Sequence, residues 1–143
     1  MRTHGKSQSG VMLIEALIGI LIFSIGILAL IGMQATAMKN TTDARYRSEA
    51  SFLATQVIGQ MWVDIANLSK YDKDSAGAYA NRDNWVTTVA ATLPGIDVGA
   101  GTLLPTIDVD PATNEVTVTI RWQQPGETAT HTFQVLNRVN GAT

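Results

Sequence analysis

The chain has 143 residues, of which ten are Lys or Arg, twelve are Asp or Glu and none is Cys. A mildly acidic chain without a basic patch is unsuited to nucleic acid, and one without Cys has neither disulfides nor a thiolate metal site. No phosphate-binding glycine loop, zinc-binding His-Glu motif or serine nucleophile elbow occurs in it. We therefore expect no catalytic residue, no cofactor, no metal and no nucleic-acid partner.

The first predicted element is an apolar helix near the N-terminus. About 23 apolar or small residues, interrupted by Glu15, run from Val11 to Met33, enough to cross a bilayer of about 30 Å. Arg2 and Lys6 precede the run and no acidic residue lies among the first ten, so the N-terminus is expected in the cytoplasm. The run is too long for a secretory signal peptide and lacks its small-residue cleavage site.

Glu15 leaves two interpretations of this segment. A plain membrane anchor accounts for its length and orientation, but not for a carboxylate in hydrocarbon, which is costly. A cut between Gly10 and Val11 would instead place a new N-terminus close to Glu15. The stretch SGVMLIE (9–15) resembles the class III signal of type IV pilins and pseudopilins, so we favour the second interpretation.

This resemblance implies roles for three residues. Prepilin peptidase would cut after Gly10 and methylate the freed amine of Val11, a position where Phe is more common in the family. Glu15, fifth in the mature chain, would be the assembly carboxylate. Since it lies about one helical turn from the new N-terminus, its own amine or that of a neighbouring subunit would neutralise it. The family favours the neighbour.

The helix is expected to continue beyond the membrane and to become amphipathic from Asp43. Apolar residues recur at three- and four-residue steps as far as Leu68, and polar residues, including Asp64, lie opposite them. This half of the helix is predicted to lay its apolar stripe on a sheet. The predicted stripe consists of Tyr46, Ala50, Leu53, Val57, Met61, Ile65 and Leu68.

The polar segment Lys70–Asn84 is predicted to be a loop because it is rich in turn residues and has no strong period. Asp72 and Asp74 begin like a calcium-binding loop, but a third oxygen ligand and a closing Glu are missing. We interpret them, and the later pair Asp108 and Asp110, as solvated turn residues.

A short helix and an antiparallel sheet are predicted to complete the chain. The helix, Trp85–Leu93, would be capped by Asn81 or Asp83. Alternating apolar and polar residues then indicate a meander of three or four strands, with Trp122 in the core and its indole N–H bonded to a partner. The predicted strands are Thr106–Val109, Val116–Trp122 and Thr130–Leu136.

The chain is thus predicted to be an α+β protein with the type IV pilin fold. A long N-terminal α-helix, membrane-spanning in its first half, would pack on a small antiparallel β-sheet. Three segments, LIEALIGILIFSIGILAL, SEASFLATQVIGQM and VTVTIRWQ, resemble the PilV-like minor pilins, which are type IV pilus modification proteins. The predicted divisions are a cleaved leader at 1–10, a membrane half at 11–34, an amphipathic half at 35–69 and a globular head at 70–143.

The resemblance implies a minor pilin that helps to assemble or prime a type IV pilus at or near its tip. Its partners would be other major and minor pilins, prepilin peptidase, the inner-membrane assembly platform and a tip adhesin. It would lie in the inner membrane with a periplasmic head before assembly, and in the surface fibre afterwards. The alternative is a minor pseudopilin of a type II secretion system. An anchored enzymatic or ligand-binding domain has no convergent acid, base and nucleophile to support it.

Overall fold

A computed structural model describes residues 9–140. The chain divides into two compact units, with the boundary between Asp43 and Ala44. Its described elements, in chain order, are α1 (Ser9–Val63), a 3₁₀ helix (Ile65–Tyr71), α2 (Ala80–Thr92), β1 (Thr106–Asp110), β2 (Glu115–Trp122) and β3 (His131–Arg138).

The long N-terminal helix is confirmed, but it ends five residues earlier than its apolar stripe. Helix α1 stops at Val63, and Asp64 leaves helical geometry with φ −120° and ψ 35°. The stripe continues into the 3₁₀ helix, where Leu68 is buried. The periodicity of apolar residues predicts which face is buried, but it does not show where the α-helix gives way to a 3₁₀ helix.

The part of α1 before Asp43 exposes every large apolar side chain between Val11 and Met33. An 18-residue window of this helix reaches a mean hydropathy of 2.7, so its length and composition suffice to cross a membrane. A helix that is apolar on all sides matches a surrounding apolar medium, since no core of its own covers it.

The second unit buries the predicted stripe of α1 against the sheet. Ala50, Leu53, Val57, Met61 and Leu68 are buried, while Tyr46 and Ile65 pack at the edge of the same cluster. The core is wider than the predicted stripe, because two further residues of α1 and two of α2 enter it. These additional core residues are Ala54, Ile58, Trp85 and Val89.

The sheet is a three-stranded antiparallel meander in the order β1-β2-β3, as predicted. Val118 of β2 lies opposite Ile107 of β1 and Val135 of β3. The alternating inward side chains of β2 are completely buried, whereas the facing side of β3 is only partly covered. An α+β architecture is therefore present: a long helix and a small antiparallel sheet.

Two local predictions about the connections are wrong. The loop Lys70–Asn84 is shorter than predicted, since the 3₁₀ helix ends at Tyr71 and α2 begins at Ala80. Neither Asn81 nor Asp83 is the N-cap of α2, because both lie inside its first turns. The N-cap is Tyr79, whose backbone N–H donates to a carboxylate oxygen of Asp83 at 3.0 Å.

The predicted partner for the indole of Trp122 is also wrong. Trp122 is completely buried, and its Nε1 has no hydrogen-bond partner among the described residues. Its ring stacks on His131 with centroids 5.5 Å apart and an interplanar angle of 15°. By contrast, the buried Trp85 donates from Nε1 to the carbonyl of Leu53 at 3.0 Å.

Candidate functional site

The three residues of the predicted processing signal lie in the first two turns of α1. Gly10 has open space around it, since a Cβ added there would meet nothing within 4 Å. Val11 and Glu15 are four residues apart, which places them on one face of the helix, and both are exposed.

Glu15 differs from the other polar side chain of the apolar run, Ser24. The hydroxyl of Ser24 donates to the carbonyl of Ile20 at 2.7 Å, so the helix itself satisfies it. Thr36 repeats this pattern with the carbonyl of Gly32 at 3.1 Å. The carboxylate of Glu15 makes no hydrogen bond or ion pair with any residue in the range 9–140, so a partner from outside this range is required in an apolar medium.

Asp64 shows how the second unit treats a carboxylate. It accepts hydrogen bonds from the amides of Asn67, at 2.7 Å, and Asn81, at 3.1 Å, and from the hydroxyls of Tyr71, at 3.1 Å, and Tyr79. These donors, led by Asn67, lower the pKa of Asp64 to about 2. Through these four hydrogen bonds, Asp64 connects the end of α1 to the 3₁₀ helix and to the start of α2.

Lys73 occupies the centre of the acidic residues that begin like a calcium loop. Its ammonium lies 2.6 Å from carboxylate oxygens of both Asp74 and Asp108. These partners, with Asp108 contributing most, raise the pKa of Lys73 well above its ordinary value. Asp72 instead accepts backbone N–H groups from Asp74 and Val109, each at 2.8 Å.

A cleft of about 880 Å³ lies beside this ion-paired cluster. Its wall combines the loop around Lys73 with one face of β1 and β2, including Asp108 and Thr117. Within residues 9–140, no group of three or more His, Cys, Asp or Glu side chains is arranged to hold a metal ion. The acids here neutralise a lysine of the same chain.

Comparison of the chain with protein-family models, with curated proteins and with solved structures finds no match. The candidate site therefore rests on its own residues: Gly10, Val11 and Glu15 at the start of an exposed apolar helix.

Sequence reasoning missed the two polar clusters of the second unit. The periodicity predicts Asp64 on the solvent-facing side of the helix, whereas it is partly buried and has four donors. The donors Tyr71 and Tyr79 lie seven and fifteen residues after Asp64 in the chain, so no local sequence pattern predicts these hydrogen bonds. Lys73 stands between Asp72 and Asp74, and that alternation of charge was the available signal.

Proposed function

We propose that this chain is a minor pilin, resembling the PilV-like type IV pilus modification proteins, which takes part in assembling or priming a pilus near its tip. The observation that carries the proposal is Glu15, a carboxylate without a partner among residues 9–140, at the fifth position after Gly10 in an apolar helix. The long helix and small antiparallel sheet agree with the pilin fold.

The proposed mechanism begins with a cut after Gly10. Hydrolysis of the Gly10–Val11 peptide bond releases residues 1–10 and leaves a cationic amine on Val11. That amine is one helical turn from Glu15 in the same chain, and a neighbouring subunit offers the same group. A pair of opposite charges between subunits in a low-dielectric core favours one axial register, because any other register leaves both charges unpaired.

The apolar helix supplies the rest of the assembly surface. Before assembly it would span the inner membrane with the N-terminus in the cytoplasm and the head in the periplasm. Its side chains from Val11 to Met33 would then exchange lipid for the helices of other major and minor pilins. Prepilin peptidase, the inner-membrane assembly platform and a tip adhesin are the further partners. The chain would be a substrate and structural subunit, without catalytic residues or a cofactor.

N-terminal sequencing and intact-mass measurement of protein from sheared filaments test this proposal. We expect a methylated Val11 in the fibre fraction. A protein that retains Met1 and never leaves the inner membrane would contradict the proposal. If deletion of the gene leaves surface fibres intact but abolishes protein secretion, the chain is a type II secretion pseudopilin instead.

The Glu15→Gln substitution tests the role of the carboxylate. It should leave membrane insertion and cleavage at Gly10 unchanged, but reduce incorporation into filaments by at least about tenfold, since an unpaired buried charge costs about 3–5 kcal/mol. Ser24→Ala is the matched control, because the hydroxyl of Ser24 is satisfied within its own helix. Quantitative immunoblotting of sheared fibres measures both. Equal incorporation of the two variants would refute the register argument.

A further inference from the structure

The two edges of the sheet differ in how their backbone groups are used. At the edge of β1 that faces away from β2, the carbonyl of Ile107 accepts the N–H of Lys73 at 2.8 Å. The N–H of Val109 donates to a carboxylate oxygen of Asp72, also at 2.8 Å. Because the segment Asp72–Lys73 covers these groups, this edge is closed to a further strand.

The pairing also identifies the backbone groups on the outer edge of β3. The backbone groups of Ile107 and Val109 point away from β2. The residues of β1 that alternate with them therefore make the hydrogen bonds to β2. By the same alternation, the β2 residues that bond to β3 are those opposite Phe133, Val135 and Asn137. The intervening residues of β3 point their N–H and C=O groups outward. These outward residues are Thr132, Gln134, Leu136 and Arg138, of which Arg138 already donates its N–H to the side-chain oxygen of Asn137 at 2.7 Å.

The outer edge of β3 is open. Thr132, Gln134 and Leu136 are all exposed, and their outward groups have no hydrogen-bond partner within residues 9–140. Edge strands are ordinarily protected by Lys, Pro, a bulge or short length. The segment 132–137 contains no Lys, Pro, Gly or charged residue, and β3 pairs with β2 without a bulge over eight residues.

We propose that a second copy of this chain adds its β3 to this edge, antiparallel, about a two-fold axis through Gln134. Gln134 would then face Gln134 of the other copy, and Thr132 would face Leu136. The three facing pairs exchange six backbone hydrogen bonds. The exposed Leu136, 63% of whose surface is accessible, gains a cross-strand neighbour, and Phe133 comes opposite Val135.

Two observations favour a second copy over another occupant. The uncharged segment 132–137 can pair with itself without placing like charges opposite each other, and Arg138 would face Thr130. Since the segment Asp72–Lys73 closes the other edge, pairing ends at two copies and does not continue into a fibre. This inference concerns the head alone and does not depend on the proposed pilus role.

Single cysteines test the pairing in the full chain, which has none of its own. Across the axis the two Cα atoms of Gln134 would be about 5.5 Å apart, within the range that a disulfide needs. Two copies of Thr132, or of Leu136, would be about 14 Å apart along the strands. Mild oxidation of Gln134→Cys should therefore give at least about five times more disulfide dimer than Thr132→Cys or Leu136→Cys.

A mixture provides the matched control. Chains carrying Thr132→Cys should cross-link to chains carrying Leu136→Cys, although each variant alone cross-links poorly, because those two positions face each other. Equal yields from all three single variants would indicate random collision and overturn the proposal. So would the absence of a Gln134→Cys dimer, or its capture in cells by a different protein in place of a second copy.

Charge substitution gives a second, independent measurement. Gln134→Lys and Gln134→Glu each place like charges opposite one another and should be monomeric at low salt. An equimolar mixture of the two should recover the dimer. Light scattering of the detergent-solubilised full chain measures the molar mass. If neither variant alters the dimer fraction, or if wild type is monomeric throughout, the strand pairing is refuted.

Discussion

Two carboxylates, Asp64 in the second unit and Glu15 in the first, differ in whether the chain supplies them with partners. In the second unit, Asp64 has four donors of the same chain, and Asp108 has the ammonium of Lys73. In the first unit, the apolar helix satisfies the hydroxyl of Ser24 with its own backbone but leaves Glu15 without a partner among residues 9–140. Asp64 and Asp108 therefore stabilise the fold of the second unit, whereas Glu15 makes no such contact within the described residues.

The same contrast applies to apolar side chains. The apolar residues of α1 before Asp43 are exposed, whereas those of its later stripe lie in a closed core with the sheet. A continuous helix can therefore supply two different surfaces: one satisfied within the chain and one that needs an external apolar partner. The three predictions below test this difference, beginning with the largest expected effect.

Two methionines of α1 compare the surfaces directly. Met61 is completely buried, while Met33 is 62% exposed. Met61→Ala should lower the free energy of unfolding by about 2–5 kcal/mol, because it removes buried atoms and leaves a cavity. Met33→Ala should change it by less than about 0.5 kcal/mol. Chemical unfolding of the detergent-solubilised chain, followed by tryptophan fluorescence, measures both. Equal losses would mean that the first unit has a packed core of its own.

Much of this division could be predicted from the sequence. The three- and four-residue steps from Tyr46 to Leu68 predicted the buried stripe, since a helix must place such residues on one side. Alternation in Val116–Trp122 predicted the central strand and its inward face. The roles of Gly10, Val11 and Glu15 come from the motif and its spacing alone, and they stay a prediction.

The features that could not be predicted depend on contacts between distant residues. Asn81 and Asp83 have the chemistry of N-caps, but Asn81 bonds to Asp64 and the carboxylate of Asp83 reaches back to Tyr79. The indole of Trp122 stacks on His131, and its Nε1 has no hydrogen-bond partner within residues 9–140. Neither outcome follows from propensity or period, because tertiary packing decides both.

The two buried tryptophans of the second unit allow a similar comparison between a polar group with a partner and one without. Trp122 carries a buried side-chain N–H without a partner in the described range, whereas the indole of Trp85 is bonded to Leu53. An unmade hydrogen bond already costs the fold the desolvation of its donor, so Trp122→Phe regains part of what its cavity loses. Trp85→Phe loses both the cavity volume and the bond.

We therefore expect Trp85→Phe to lower the free energy of unfolding by about 1 kcal/mol more than Trp122→Phe. Unfolding by denaturant, followed by circular dichroism, measures the difference without relying on tryptophan emission. A larger loss for Trp122→Phe would show that its indole N–H has a partner in solution, such as an ordered water.

The smallest expected effect is a loss of stability that appears only at extreme pH. The pKa of Asp64 is held at about 2, below the ordinary value of about 3.9 for an unfolded chain. Its stabilising contribution is complete above about pH 4 and is lost as the pH falls toward 2. Burial raises the pKa of Tyr71 to about 12, so its contribution is complete below about pH 10 and is lost as the pH rises toward 12.

Substitutions test whether Asp64 and Tyr71 of the second unit cause the losses of stability at low and high pH. Asp64→Asn should reduce the fall in stability between pH 4 and pH 2, and Tyr71→Phe should reduce the fall between pH 10 and pH 12, both measured by denaturant unfolding. Glu15→Gln should leave the stability unchanged in both pH ranges, because Glu15 belongs to the first compact unit, whereas Asp64 and Tyr71 belong to the second. An altered loss of stability at low pH in Glu15→Gln would show that the carboxylate of the first unit also stabilises the fold of the single chain. That result would remove the contrast from which its role in assembly is argued.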